Sequence, residues 1–225
     1  MINTNEIQHI TYEEILQRFI DPEYIDWKKH PFVAFDGVCA TNGWSLVYIP
    51  EKLPQLQLYD FTYKLKNIFN PEQKTPSLSI SLKTLTEKME SFPMVDCYDE
   101  VESNCTACDG TGIVESEFYH NGKNHPIESD CPICDGSGME IIQSTIPNGQ
   151  KEYDPEHTLR IYGFDFHPKR IMDLIWTAEK LLCHEIGMIQ ILEPKHAKFI
   201  LGNVQLIISP IEIYGAKQMI AQEIP

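Results

Sequence analysis

No run of eighteen apolar residues occurs in this sequence, so no segment is expected to span a membrane as a helix. Basic residues are also scarce. The 225 residues contain 18 Lys+Arg against 33 Asp+Glu, a net charge of −15. Non-specific nucleic-acid affinity depends on cations that neutralise phosphates. This balance argues against a surface that simply coats nucleic acid, although it does not exclude a local basic strip or an encircling ring. The acidic balance reads first as a solvated surface that keeps the protein soluble. The segment Met1–Glu6 lacks the basic start and apolar stretch of a signal peptide, and the expected location is the cytoplasm. No phosphate-binding glycine loop, Ser-His-Asp pattern or H-E-x-x-H is present, so no residue supports enzyme activity.

What the chain does contain is enough apolar sequence for a core. A hydrophobic fraction of 42% with 10% aromatics excludes a mostly disordered chain. Thr11-Tyr12-Glu13-Glu14 reads as a capping box ahead of Ile15, Leu16, Phe19 and Ile20 at helical spacing, with Asp21-Pro22 as the stop. Strands follow at Phe32–Phe35, Val38–Thr41 and Trp44–Ile49, with turns expected at Asp36-Gly37 and Asn42-Gly43. Tyr63–Phe69 reads equally as a short helix or an irregular connection. A helix is expected from about Leu82 to Ser91. Core-like sequence returns at Leu159–Phe166. Pro168 suits a first helical position, and Ile171, Leu174, Ile175, Ala178, Leu181 and Leu182 form the apolar stripe of the helix that follows. Three last strands are expected at Met188–Leu192, Phe199–Leu201 and Val204–Ile208, separated by Glu193–His196 and by Gly202-Asn203. The fold class is α+β with a mainly antiparallel sheet and two or three helices.

Between these halves the composition changes. Seven cysteines fit poorly with a complete disulfide framework in the cytosol. Cys39, Cys97 and Cys183 are scattered and read as packing residues rather than nucleophiles. Cys105, Cys108, Cys131 and Cys134 form two pairs within a repeated C-x-x-C-D-G-x-G, offset by 26 positions. Two intervening residues let both sulfurs of a pair turn toward one metal. The glycines permit close approaches and leave amides to hydrogen-bond to thiolates. Four thiolates make the closed tetrahedral set of one structural Zn²⁺, with no open position for catalysis. Val114–Tyr119, Asn121-Gly122 and Lys123–Glu128 read as a hairpin that brings the two pairs together. His120 and His125 lie in that hairpin as solvent-facing residues. Surrounding acids argue against a redox dithiol. The domain reading is a discontinuous α+β domain, residues 1–95 plus 146–225, interrupted by a zinc-binding module, residues 96–145.

The repeat at residues 105–138 resembles half of the cysteine-rich region of DnaJ-type cochaperones, which have four such repeats and two zinc sites. This resemblance implies zinc at Cys105, Cys108, Cys131 and Cys134. The chain lacks the His-Pro-Asp motif of the J domain. Two other segments are similar to bacterial sliding clamps, the beta subunit of the replicative polymerase. They are Ala40-Thr41-Asn42-Gly43-Trp44-Ser45-Leu46 and Phe166–Leu174, with Ile207-Ile208-Ser209-Pro210 as a further fit. That likeness implies α+β units in which two helices back onto curved antiparallel sheets, assembled as rings around DNA. Asn42 stands where the clamp motif has Asp, and the chain has room for about one of a clamp's three domains.

Other ionisable groups carry less. Cys183-His184 reads as a cap on the long helix rather than a catalytic dyad. Asp96, Asp99, Glu100 and Glu102 form a solvated acidic run. Glu115 and Glu117 share one strand face, with nothing to position them as an acid/base pair. Three functions stay open: a non-enzymatic scaffold or clamp-like factor in DNA metabolism, a chaperone-like polypeptide binder, and an enzyme with an unrecognised site. The expected partner is a protein. DNA would be reached only through an oligomeric clamp-like assembly, with Lys169, Arg170 and Lys180 as its cations, and no membrane is involved.

Overall fold

Turn residues divide the described chain into fourteen strands and four helices. The computed structural model describes residues 4–23, 27–53, 59–192, 195–211 and 220–224. The helices are α1 (Thr4–Arg18), α2 (Thr62–Leu65), α3 (Leu82–Glu90) and α4 (Pro168–Lys180). The strands before the cysteine repeat are β1 (Phe32–Ala34), β2 (Gly37–Thr41), β3 (Ser45–Ile49), β4 (Leu78–Ser81) and β5 (Met94–Asn104). Next come β6 (Ile113–His120), β7 (Lys123–Asp130), β8 (Met139–Tyr153), β9 (His157–Ile161) and β10 (Phe164–Phe166). The last are β11 (Glu185–Leu192), β12 (Lys195–Leu201), β13 (Val204–Ile208) and β14 (Ile220–Ile224). No described helix is long and apolar enough to cross a membrane.

The chain divides into two compact units, Met1–Pro93 with Tyr153–Pro225, and Met94–Glu152. In the first, a seven-stranded antiparallel sheet has the order β1-β2-β3-β13-β12-β11-β4. Its central strands are buried on both faces, which is why they read as continuous apolar runs. Val38, Ala40, Val47, Ile49, Phe199, Leu206 and Ile208 join the larger core with residues of α1, α3 and α4. The alternate residues Cys39, Leu46, Tyr48 and Ile207 join a second core with Phe32, Leu65 and Phe69. A smaller sheet, β10-β9-β14, includes a parallel β9–β14 pair. The architecture is α+β with mainly antiparallel pairing.

Several local expectations change. Thr11 lies inside α1, which starts at Thr4, so Thr11 to Glu14 is not its capping box. The first turn is Phe35-Asp36 rather than Asp36-Gly37, because Gly37 already pairs with Ala34. Phe35 takes the left-handed conformation, φ 56°, where its amide reaches Thr62 Oγ1. The long helix ends at Lys180, before Leu182. The amides of Leu182 and Cys183 bond back to the carbonyls of Glu179 and Ala178, the paired closure of a Schellman motif. Leu182 occupies its left-handed position, φ 53°, and is 83% exposed, so it leaves the apolar stripe. The His184 carbonyl accepts from the Leu82 amide. Strands β11 and β12 begin earlier than their apolar residues suggest, at Glu185 and Lys195, whereas β13 spans Val204–Ile208 as expected. Met1, Ile2, Asn3, residues 54–58 and the turn residues Glu193 and Pro194 lie outside the described residues.

One buried cation was invisible to hydrophobic patterning. Lys198 in β12 is fully buried on the second-core side. Its Nζ donates to the carbonyls of Asn70 and Gln73 and to Gln205 Oε1, and lies 5.3 Å from the Phe69 ring centroid. Gln205 Nε2 donates in turn to the Pro71 carbonyl. Residues 70–73 are thus held against the sheet by side chains that satisfy backbone acceptors. Burial, with a smaller contribution from Lys74, pulls the Lys198 pKa down to about 8.

Replacing Lys198 with Met should leave those acceptors unsatisfied and cost about 1–3 kcal/mol, measured by urea unfolding at neutral pH. In the wild type the native amine sheds its proton near pH 8, whereas an unfolded lysine keeps it to about 10.4. Wild-type stability should therefore carry a component that rises with pH between these values. In Lys198→Met that component should vanish.

Candidate metal centre

The C-x-x-C-D-G-x-G repeat folds twice into the same turn. In the first copy the Gly110 amide donates to the Cys105 carbonyl at 3.0 Å and Thr111 N to the Cys108 carbonyl at 3.0 Å. In the second, Gly136 N donates to Cys131 at 3.3 Å and Ser137 N to Cys134 at 2.9 Å. The hydroxyls of Thr111 and Ser137 each donate to the carbonyl of the cysteine three residues earlier, at 2.7 Å. Reciprocal bonds lock the copies together: Cys105 N to Gly138 O at 2.9 Å and Cys131 N to Gly112 O at 2.8 Å.

This locking explains the last glycine of each repeat. Gly112 and Gly138 have φ of 77° and 76°. A Cβ on Gly112 would lie 2.3 Å from the Gly136 carbonyl oxygen, and one on Gly138 would lie 2.4 Å from that of Gly110. No side chain fits. The same two residues aim their amides at sulfur, Gly112 N to Cys108 Sγ and Gly138 N to Cys134 Sγ, both at 3.2 Å.

The four sulfurs converge. Cys105 Sγ lies 3.8 Å from Cys131 Sγ, and Cys108 Sγ lies 3.8 Å from Cys134 Sγ. All four lie within 4.8 Å of one another and all four residues are buried. These separations are far longer than a disulfide bond of about 2.05 Å. Among thiols alone, burial and the neighbouring sulfurs push the Cys105 pKa up to about 12 despite bonds from the Ala107 and Cys108 amides. At Cys108 burial opposes ionisation, but the Gly112 amide and the adjacent thiols outweigh it and lower the pKa to about 7. The cluster is a pocket of soft donors with preset amide support, a geometry that can hold a metal ion.

The hairpin between the pairs forms as β6–β7, registered from Ile113↔Asp130 to His120↔Lys123 around Asn121-Gly122. His120 and His125 are exposed on it, and the described metal-competent cluster contains only the four cysteines. Sequence reasoning missed the stem strands β5 and β8, whose alternation is too polar to signal burial. Side chains cross-link them: Lys151 to Asp96 at 3.7 Å and Asn148 Nδ2 to Asp99 Oδ1 at 2.7 Å. The paired Thr111 and Ser137 were also missed, although their recurrence at one position of the repeat was a usable signal.

Elsewhere, Cys39 is buried, which raises its thiol pKa. Burial also raises Cys183. Of the cations assigned to DNA, Lys180 contacts Glu14. Arg170 donates to the Ser209 carbonyl and stacks 4.7 Å from the Trp44 ring centroid. Ser209 N donates to the Trp44 carbonyl at 3.0 Å. The three segments that resemble clamp motifs therefore meet at Trp44, Arg170 and Ser209. A cleft of about 510 Å³ beside α3 and α4 is lined by Glu87, Glu90, Glu179 and Glu185, with Lys83 and His184 among them.

No protein-family model and no curated protein matches this chain. It is similar to solved bacterial clamp subunits. A DNA polymerase sliding clamp from Pseudomonas aeruginosa shares 8% identity over 92% of this chain and 64% of its own, at a TM-score of 0.46. The DNA polymerase III subunit beta from the same organism shares 9% identity over 94% and 66%, at 0.40. The beta subunit from Thermotoga maritima shares 11% over 79% and 42%, at 0.25. The chain thus spans less than two thirds of the length of each.

Gly112→Ala should disrupt the cluster, because the new methyl meets a backbone oxygen and the left-handed φ adds strain. Metal per chain, measured by elemental analysis after metal-supplemented purification, should drop well below that of the wild type. A variant retaining the wild-type metal content would show that the interlocked glycines are dispensable.

Proposed function

We propose that this chain is a non-enzymatic, cytoplasmic scaffold protein whose second unit is an arm stapled by one structural Zn²⁺ on Cys105, Cys108, Cys131 and Cys134, and that this arm docks a protein partner. The sulfur spacing carries the metal assignment. Four thiolates about 2.3 Å from a tetrahedral zinc lie about 3.8 Å apart, the separation of both cross-repeat pairs. A closed four-sulfur set leaves no coordination position for a substrate. A four-thiolate site needs reduced cysteines, which fits a reducing compartment.

The docking reading is supported by the arm's surface. The buried apolar cluster described in this unit is the cysteines with Val114 against them. Most exposed large apolar side chains among the described residues also lie here, including Tyr119, Ile133, Ile141 and Ile146. Such a density of apolar exposure marks an interaction surface. The chaperone-like alternative uses the same surface for extended polypeptides generally and differs in having no specific partner.

Purified protein should contain one zinc per chain with four sulfur ligands, measured by elemental analysis and X-ray absorption. Cys105→Ser or Cys134→Ser should loosen Met94–Glu152, because metal binding supplies the folding free energy of such modules. The larger unit has its own core and should remain folded, which amide exchange measured along the chain would resolve. Cooperative loss of both units on zinc removal would overturn the proposed independence of the arm.

A second reading, a clamp-like factor in DNA metabolism, is favoured by the meeting of Trp44, Arg170 and Ser209. It requires a homo-oligomeric ring, since one such chain cannot encircle a duplex. Arg170 and Lys180 are already engaged within the chain, and the α3–α4 cleft is acidic, so the monomer should bind DNA weakly and lose it as salt rises. Solution mass and retention on circular against linear DNA test this. A strict monomer without retention removes the clamp reading and leaves the docking arm.

A further inference from the structure

The two faces of the β6–β7 hairpin carry opposite chemistry. Side chains of successive cross-strand pairs project to opposite sides of a sheet. One face therefore holds Val114↔Ser129, Ser116↔Ile127, Phe118↔His125 and His120↔Lys123. The other holds Ile113↔Asp130, Glu115↔Glu128, Glu117↔Pro126 and Tyr119↔Asn124. All four carboxylates of the hairpin lie on the second face. The first has none, and it holds the hairpin's lysine and both of its histidines.

Hairpin stability does not explain this sorting. Glu115 and Glu128 sit directly opposite each other, a like-charge pairing that destabilises a sheet. Exchanging charges between faces would relieve it. Nor is the first face withdrawn from water, because β6 and β7 form a two-stranded sheet. Phe118 is 52% exposed and Ile127 43% exposed. The Phe118 ring stacks on His120, with centroids 5.8 Å apart and planes 14° apart, so the aromatic is held flat against a neighbour on the same face.

Resting on the docking-arm reading, we propose that the face bearing Phe118, Ile127, His120, Lys123 and His125 binds an acidic polypeptide segment that presents apolar side chains between carboxylates. Phe118 and Ile127 supply the apolar contact, and the carboxylate-free rim supplies charge complementarity in a chain that is otherwise strongly acidic. A nucleic acid fits this face less well. It brings a phosphate with every nucleotide, whereas one lysine neutralises one phosphate. A polypeptide can place its few carboxylates at the rim alone. A second copy also offers a carboxylate face, and solution mass distinguishes it in the test below.

The test uses the full-length, zinc-loaded, isotope-labelled protein and two synthetic probes. One is a Glu-rich peptide with spaced Leu and Phe; the other is its Lys-rich counterpart. The Glu-rich peptide should shift amide resonances within residues 113–130, with an affinity that falls as salt rises. Phe118→Ser and Lys123→Glu should each weaken it about tenfold, while Tyr119→Ser on the reverse face should not. Zinc content of each exposed-site variant verifies that the arm is intact. Preference for the Lys-rich peptide, or sensitivity confined to Tyr119→Ser, would overturn the assignment. So would a mass that grows with protein concentration while both hairpin faces respond, since the occupant would then be a second copy. A response elsewhere in Met94–Glu152 overturns the face but leaves the docking arm standing. Silence from the whole arm toward both peptides overturns both.

Discussion

The convergence of four sulfur atoms is the constraint on which the arm depends. Residues 94–152 have no apolar core beyond these cysteines and Val114, and two-stranded ribbons are marginal in water on their own. The repeat supplies what packing does not. Two identical turns interlock through reciprocal amide–carbonyl bonds, and their glycines approach so closely that no side chain could intervene. The sulfur cluster brings the ends of the hairpin together. Apart from Val114, both hairpin faces can then be spent on surface chemistry.

The larger unit solves the opposite problem. Its central strands are apolar on both sides, and each face must be covered. Helices α1, α3 and α4 cover one. The other is covered by α2 and the segment after it, and there the solution is partly polar: Lys198 and Gln205 reach from the sheet to hold the carbonyls of Asn70, Pro71 and Gln73. A lysine stem packs as an apolar chain while its amine satisfies acceptors that would otherwise be stranded.

Charge placement separates the two units further. On the larger unit, Arg170 and Lys180 are engaged by Ser209, Trp44 and Glu14. On the arm, acids and bases are sorted by the two-residue period of the strands. The acidic composition of the chain as a whole conceals this local asymmetry, which matters more for recognition than the net charge.

The cysteine turns were legible residue by residue, because a doubled C-x-x-C-D-G-x-G sets the local turn and the direction of both thiols within eight residues. The sheet's central strands, the Gly202-Asn203 hairpin and the core stripe of α4 as far as Leu181 were legible for the same reason: each signal is local in sequence. Helix ends were harder. The end of α4 depends on Leu182 accepting a left-handed conformation that its residue type does not announce. The long stem strands were hidden because exposed ribbons lack apolar alternation. Lys198 was hidden because a lysine's burial depends on carbonyls more than a hundred positions away in sequence. The sequence by itself determined the cysteine turns and the central strands, both set by local chemistry. Only the tertiary structure decided which carbonyls meet the buried amine, which strand faces share a core and which charges share a face of the hairpin, since strand register and long-range pairing bring those groups together.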